Sequence, residues 1–251
     1  MESEKNTKTT IDREELAQFE AQADTWWDMR GPFKPLHKMN PCRIRILKTY
    51  LCDHFGRNSS DKRPLEGLEI LDIGCGGGIL AEPLARLGAK LTGIDAGEKN
   101  INVAKNHAQT TGLSIEYHAT TAEDFVQSGQ KFDAVISLEV LEHLASIPTF
   151  VGACRDLLKP EGVLVLSTLN RTLKSFLGAI VAGEYILRWL PRGTHDWRKF
   201  LRPSELAAHL SSHDLEIKHL TGIVHRPLMG EWEETRSLDI NYFAMAGHKC
   251  G

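Results

Sequence analysis

Residues 71–78 read Leu-Asp-Ile-Gly-Cys-Gly-Gly-Gly, a glycine turn between a short apolar run and a helical pattern. Glycines there allow positive φ and close backbone approach to a ligand, and the helix that follows offers free N–H groups. Two frames fit. Gly76-x-Gly78-x-x-Ala81 satisfies a dinucleotide fingerprint. Asp72-x-Gly74-x-Gly76-x-Gly78 instead sets an acid ahead of alternate glycines. An acid in the strand end suits a cationic, amino-acid-bearing ligand better than a pyrophosphate. Asp95 closes the next apolar run, where its carboxylate can accept both hydrogen bonds of a ribose diol. Glu139, Glu142 and His143 are spaced three and four apart, so one helical turn would gather two carboxylates and an imidazole. Such a set can hold Mg²⁺. Alternatively, the imidazole can serve as a general base, or Glu142-His143 can be a hydrogen-bonded helix start. His195-Asp196 and His37 are further candidates for a base. The Arg43 guanidinium can grip a ligand carboxylate bidentately.

These residues need elements to hold them. Strand patterns over 68–73, 90–95, 114–118, 132–138 and 163–168 alternate with helix patterns over 79–87, 98–111 and 147–158. That alternation implies βαβ units and a parallel sheet buried on both faces. Before it, residues 12–29 predict an amphipathic helix with Asp12 and Glu15 as a capping box. The adjacent Trp26 and Trp27 suggest docking. Phe33–Pro41, with its prolines, reads as extended, and 42–55 as a second helix. After 169 the alternation breaks. Pro203–Leu210 is a helix, and 215–223 and 238–246 are closing strands, expected antiparallel. The organisation is therefore an N-terminal helical cap over 1–64 and an α/β domain over 65–251. The latter is a mostly parallel sheet with an antiparallel end, helices on both faces, and an apolar insertion over 170–199.

The 251 residues suffice for a full core, and 41% hydrophobic with 25% charged is the composition of a soluble globular chain. A net charge of −3 argues against a nucleic-acid partner. Cysteines 42, 52, 75, 154 and 250 are scattered without a CxxC, which predicts reduced thiols and no zinc knuckle. Met1–Thr10 is polar and holds Glu and Lys, so no secretion signal is expected.

The Asp72 frame resembles motif I of class I S-adenosylmethionine-dependent methyltransferases, whose Rossmann-like fold matches the expected sheet. In that class the segment Thr121-Ala122-Glu123-Asp124, after the third strand, holds adenine. Ser137-Leu138-Glu139 lacks the Asn-Pro-Pro-Tyr motif of amino-group methyltransferases. A closer resemblance, covering about 12–246, is to the ubiquinone-biosynthesis O-methyltransferase family. It is carried by Phe33-Lys34-Pro35-Leu36-His37, Asn40-Pro41 with Arg43, Leu71–Leu80 and Leu141-Glu142-His143. Ser167-Thr168-Leu169-Asn170-Arg171, Glu184-Tyr185-Ile186-Leu187-Arg188, Gly193-Thr194-His195-Asp196 and Asn241-Tyr242 extend it.

The resemblance implies methylation of catechol-type hydroxyls on 2-polyprenyl-6-hydroxyphenol and 3-demethylubiquinol. It carries family cofactor positions onto Arg43, Gly74, Asp95 and Leu138, the last often Met in bacterial members. With the residue reading, the expected donor site is Arg43, Asp72, Gly74, Gly76, Asp95, Ala122, Glu123 and Leu138. Catalysis is expected from His143, Glu142 and His195, and a possible Mg²⁺ from Glu139, Glu142 and His143. Three alternatives stand beside it: a methyltransferase for another small catechol or phenol, a dehydrogenase, and a non-catalytic donor-binding subunit of a biosynthetic complex.

Phe176–Leu190 is too short and too charged to span a bilayer. Its apolar residues, Trp189 and the flanking Arg171, Lys174, Arg188, Arg192, Arg198 and Lys199 resemble an interfacial segment for an anionic membrane. A buried substrate lid is the alternative. The expected location is the cytoplasm, peripherally on the inner membrane, or the matrix side in a mitochondrion. Other ubiquinone-biosynthesis proteins are possible partners.

Overall fold

The computed structural model describes residues 10, 13–175, 197–226 and 230–249. The chain opens with α1 (Arg13–Ala21) and α2 (Lys34–His54). It then alternates β1 (Glu69–Ile73), α3 (Ala81–Arg86), β2 (Lys90–Asp95), α4 (Glu98–Thr110), β3 (Glu116–Ala119), α5 (Ala122–Phe125), β4 (Phe132–Leu138), α6 (Ile147–Leu157) and β5 (Leu158–Leu169). A short α7 (Leu173–Ser175) closes the described part of the chain before residue 176. α8 (Pro203–Ser211), β6 (Leu215–Arg226), β7 (Glu231–Thr235) and β8 (Asn241–His248) complete the described chain.

The eight strands form one sheet in the order β3-β2-β1-β4-β5-β8-β6-β7. The first five are parallel, and β8, β6 and β7 add on antiparallel. The alternation of β5 explains its continuous apolar run. Val163 and Val165 pack with α2, α3 and α4, whereas Leu164 and Leu166 pack with α6 and α8. Both faces are thus dry, as the sequence pattern requires. The chain winds outward from β1 to β3, then returns to β4 on the other side of β1. That reversal opens a crevice at the C-terminal ends of β1 and β4, the usual ligand site of such sheets.

Several elements differ from the sequence expectation. Phe33–Pro41 is not extended: α2 begins at Lys34 and runs through Pro41. Pro35 lies in the first turn, where its missing N–H breaks no helical bond. Pro41 forgoes one interior bond, and the burial of Met39, Cys42, Ile46 and Leu47 offsets it. α1 stops at Ala21, and a 3₁₀ turn at Ala23–Thr25 carries the chain to the tryptophans. Asp12 lies outside the described residues, and Glu15 is engaged elsewhere, as shown below. β5 starts at Leu158, five residues before the expected strand over 163–168, and takes up 159–162 as an irregularity, since pairing jumps from Phe132↔Leu158 to Ala134↔Val163. β7 was not expected. Its residues Glu231-Trp232-Glu233-Glu234-Thr235 form an edge strand too charged to show a strand pattern.

Candidate active site

The glycine loop leaves β1 at Gly74 and turns back under the end of β2, with the Gly74 and Cys75 N–H groups donating to Ile94 O. Gly76 has φ +52°, a conformation costly for any side chain. A Cβ there would also lie 2.5 Å from the Trp26 ring. The Gly76 N–H donates to Asp95 Oδ2 at 3.0 Å, and Asp95 Oδ1 accepts from Gly97 N–H (2.8 Å) and Asn100 Nδ2 (3.1 Å). Burial raises the Asp95 pKa against the pull of these bonds. Three of the carboxylate's four lone-pair sites are thus taken, and Oδ2 retains one for a ligand hydroxyl.

Asp72, one residue before the end of β1, is 2% exposed, and its Oδ2 has no hydrogen-bond partner. Desolvation and the neighbouring Asp95 charge push its pKa up to about 7, against the opposing pull of Arg43. Arg43, from α2, is 5% exposed, and its Nε also lacks a partner. Its Nη2 stands 3.2 Å from Glu139 Oε1, an ion pair without hydrogen-bond alignment. A buried acid and a buried fork of donors, each with an unused atom, thus flank the same crevice.

Beyond β4 the expected helical turn does not gather the three chemical groups. Glu139 adopts φ +56° and precedes a 3₁₀ turn over Leu141–His143. Its Oε1 accepts from Ser167 Oγ at 2.9 Å. Glu142 is 4% exposed, and its Oε2 accepts from Thr168 Oγ1 at 2.8 Å. Burial and then Glu139 raise its pKa to about 7. His143 Nδ1 bonds the Glu15 carboxylate of α1. Burial would lower the His143 pKa, but the Glu15 bond and the neighbouring carboxylates raise it overall. Among the described residues, no group of three or more His, Cys, Asp or Glu side chains is arranged to hold a metal ion.

The remaining predicted residues sort by place. Ala122 is buried at the start of α5. Glu123 accepts from Thr10 Oγ1 at 2.7 Å, with its other oxygen buried and unpartnered. Leu138 is partly buried at the end of β4. His37 Nε2 bonds Trp26 O at 2.8 Å, away from the acids. His195 and Asp196 lie outside the described residues, as does Phe176–Leu190. No helix among the described residues is long and apolar enough to cross a membrane. The four described cysteines are all free and buried.

Sequence reasoning missed the cover of this site. Trp26 lies against Gly76 and Gly77, stacks on Phe33 with centroids 3.7 Å apart, and donates from Nε1 to Asn100 Oδ1 at 2.9 Å. Asn100 in turn donates to Asp95, so Trp26 braces that carboxylate through one residue. Trp27 Nε1 donates to Gly77 O at 2.9 Å. The signal was the Trp pair itself, whose docking surface the sequence did not name.

A methyltransferase-domain family matches residues 44–220. The ubiquinone biosynthesis O-methyltransferase of Dinoroseobacter shibae is 51% identical over 94% of this chain and 96% of its own. That of Rhizobium etli is 46% identical over 95% and 96%. The mitochondrial enzyme of that name from Arabidopsis thaliana is 47% identical over 95% of this chain and 75% of its own. The chain belongs to the ubiquinone biosynthesis O-methyltransferase family. The fold is likewise that of a solved magnesium protoporphyrin IX methyltransferase from Synechocystis with bound S-adenosylhomocysteine. The two share a TM-score of 0.64 and 20% identity, over 93% of this chain and 95% of that one.

Proposed function

We propose that the chain moves a methyl group from S-adenosyl-L-methionine to catechol-type hydroxyls of polyprenylated rings, 2-polyprenyl-6-hydroxyphenol and 3-demethylubiquinol. The observation that carries the donor half is the pair of unsatisfied buried atoms, Arg43 Nε and Asp72 Oδ2. They complement the carboxylate and ammonium of an amino-acid head group. The names of the full-length relatives carry the acceptor half.

When bound, the donor supplies an electrophilic methyl on a sulfonium. Asp72 and Arg43 fix its amino-acid end, Asp95 its ribose, and Gly74 and Gly76 leave room beside the backbone. Ala122, Glu123 and Leu138 surround its adenine. Trp26 and Trp27 cover the loop and keep water out, which holds donor and acceptor in line. The acceptor phenol has a pKa near 10 and must lose its proton to attack. His143 is the proposed base, with Glu142 behind it, and His195 the second candidate. Glu139, Glu142 and His143 suit Mg²⁺ by type. Their carboxylates and ring turn to three separate partners here, so no step is routed through a metal. The 176–190 segment would collect the tailed acceptor at an anionic membrane surface, the inner-membrane face in a bacterium or the matrix side in a mitochondrion. Association with other ubiquinone-biosynthesis proteins belongs to the same proposal.

The test is methyl transfer from labelled S-adenosylmethionine to a reduced short-tail demethylubiquinol, with Mg²⁺ and with chelator. Label in the quinol is the expected result, and the chelator arm reports on the Glu139, Glu142 and His143 proposal. Donor binding with no transfer would move the assignment to another acceptor or to a non-catalytic subunit. Co-sedimentation with anionic vesicles, lost on Ile180, Val181 and Trp189 to Ser, tests the membrane surface.

A further inference from the structure

The outer half of the glycine loop is held by side chains from other elements. Gly77 O accepts from Trp27 Nε1 at 2.9 Å, and Ile79 O accepts from Asn40 Nδ2 at 2.8 Å. Trp27 is held in its turn. Its indole stacks on the His107 ring of α4, with centroids 3.5 Å apart and planes 6° from parallel. His107 Nδ1 donates to Glu82 Oε1 at 2.5 Å. Glu82, on α3, is 3% exposed; it also accepts from Thr111 Oγ1 at 3.3 Å and pairs with Arg86 at 3.7 Å. The Glu82 N–H donates to Gly78 O at 3.1 Å. A path therefore leaves the loop at Gly77, crosses Trp27, His107 and Glu82, and returns to the loop at Gly78. On its outer side Trp27 borders a cavity of about 470 Å³, shared with His37, Ile44, Pro83 and His107. The indole has room to swing there, and the stack on His107 opposes that swing.

We infer that His107 is a positioning residue for the methyl donor: backed by Glu82, it pins Trp27 so that the indole N–H holds the Gly77 carbonyl and the loop is set before the donor arrives. The inference rests on the reading of this loop as the donor site. The stretch Gly76-Gly77-Gly78 has no side chain with which to anchor itself, and glycine loses the most conformational freedom when it is ordered. A loop that is already fixed spares the donor that ordering cost, so the clamp acts through affinity. An ionised carboxylate only accepts hydrogen bonds, so Glu82 fixes the rotation of the His107 ring by requiring Nδ1–H to face it. The ring plane is then set for Trp27 to stack on.

The experiment compares His107→Ala, His107→Phe, Trp27→Phe and the His107→Ala/Trp27→Phe double variant on the full chain. It reads S-adenosylmethionine Kd by calorimetry and deuterium exchange of the indole N–H groups by NMR. Trp26 Nε1, bonded to Asn100, is the internal reference. His107→Ala should raise Kd about 3- to 10-fold, the worth of an aromatic stack. It should also speed exchange at Trp27 while Trp26 keeps its rate, the mark of a local opening. His107→Phe retains the stack and should recover most of both. Trp27→Phe removes the bond to Gly77 O and should raise Kd by a similar factor; it carries the test if His107→Ala does not fold. In the Trp27→Phe background, His107→Ala should add no more than about twofold, because the bond through which it acts is gone. An unchanged Kd in His107→Ala, exchange that rises equally at both indoles, or single-variant effects that multiply in the double variant overturns the inference. A wild-type chain that binds no S-adenosylmethionine, with Trp27 exchange still dependent on His107, would instead overturn the donor reading.

Discussion

Glu139 and Asp214 are the two non-glycine residues with positive φ among the described residues, and Glu139 is the one at the crevice. Its carboxylate pairs with Arg43 and accepts from Ser167 Oγ. Backbone strain of this kind persists where the surroundings enforce it, typically at working sites. Asp72 is the other residue held out of its ordinary state, since burial pushes it to about 7. A raised carboxylate pKa means that the ligand-free site binds a proton as pH falls through 7. A cationic head group needs the ionised form, so donor affinity should rise with pH and level off above about 7. Below that, each pH unit should cost up to about tenfold in Kd. Asp72→Asn should abolish this dependence in calorimetry and weaken binding at pH 8 by about 10- to 100-fold, the loss of a charge-assisted hydrogen bond. Gly76→Ala should destabilise the fold by about 2 kcal/mol or more in denaturant melts. It adds left-handed strain to a collision with Trp26.

At the scale of elements, the parallel core was legible because its strands are apolar runs closed by Gly or acid, and its helices are stopped by Gly88 and Gly112. The segment 33–41 was not, because prolines look like punctuation in a string. Whether one of them interrupts a helix depends on what that helix buries. The spacing of Glu139, Glu142 and His143 was legible as chemistry but not as geometry: three and four residues face one way only in a helix that begins early enough. Here a single left-handed residue delays it. Asn100 and Glu15 were illegible because their partners, Asp95 with Trp26 and His143 with Lys199, lie on other elements. The N-terminal cover is an element whose weight can be measured. Trp26→Ala removes the stack on Phe33 and the bond to Asn100, and should cost about 3–5 kcal/mol of stability by thermal or denaturant melts. Trp26→Phe should retain most of that stability and still weaken donor binding, because Asp95 loses its brace.

For the whole molecule, one sheet serves two ends. Its parallel half presents the crevice at the C-terminal ends of β1 and β4, and its antiparallel half extends the apolar face that packs on α6 and α8. The last of the described strands does not sit at the edge. β8 lies between β5 and β6, with residues 241–247 buried and seven register pairs to β5 alone. Tyr242 donates its hydroxyl to Leu201 O at 3.0 Å, tying that strand to the chain just before α8. A ribosome releases this strand after every other described element has been made. Until then β5 has an open, apolar edge on its unpaired side, the kind of surface that templates association with other chains. A chain ending before Asn241 should therefore accumulate as aggregate rather than as a smaller folded enzyme, read by gel filtration after expression. In the cell, the burden of keeping this enzyme soluble falls on the interval between synthesis of β5 and arrival of β8, so completion of the sheet waits on its last-made described strand.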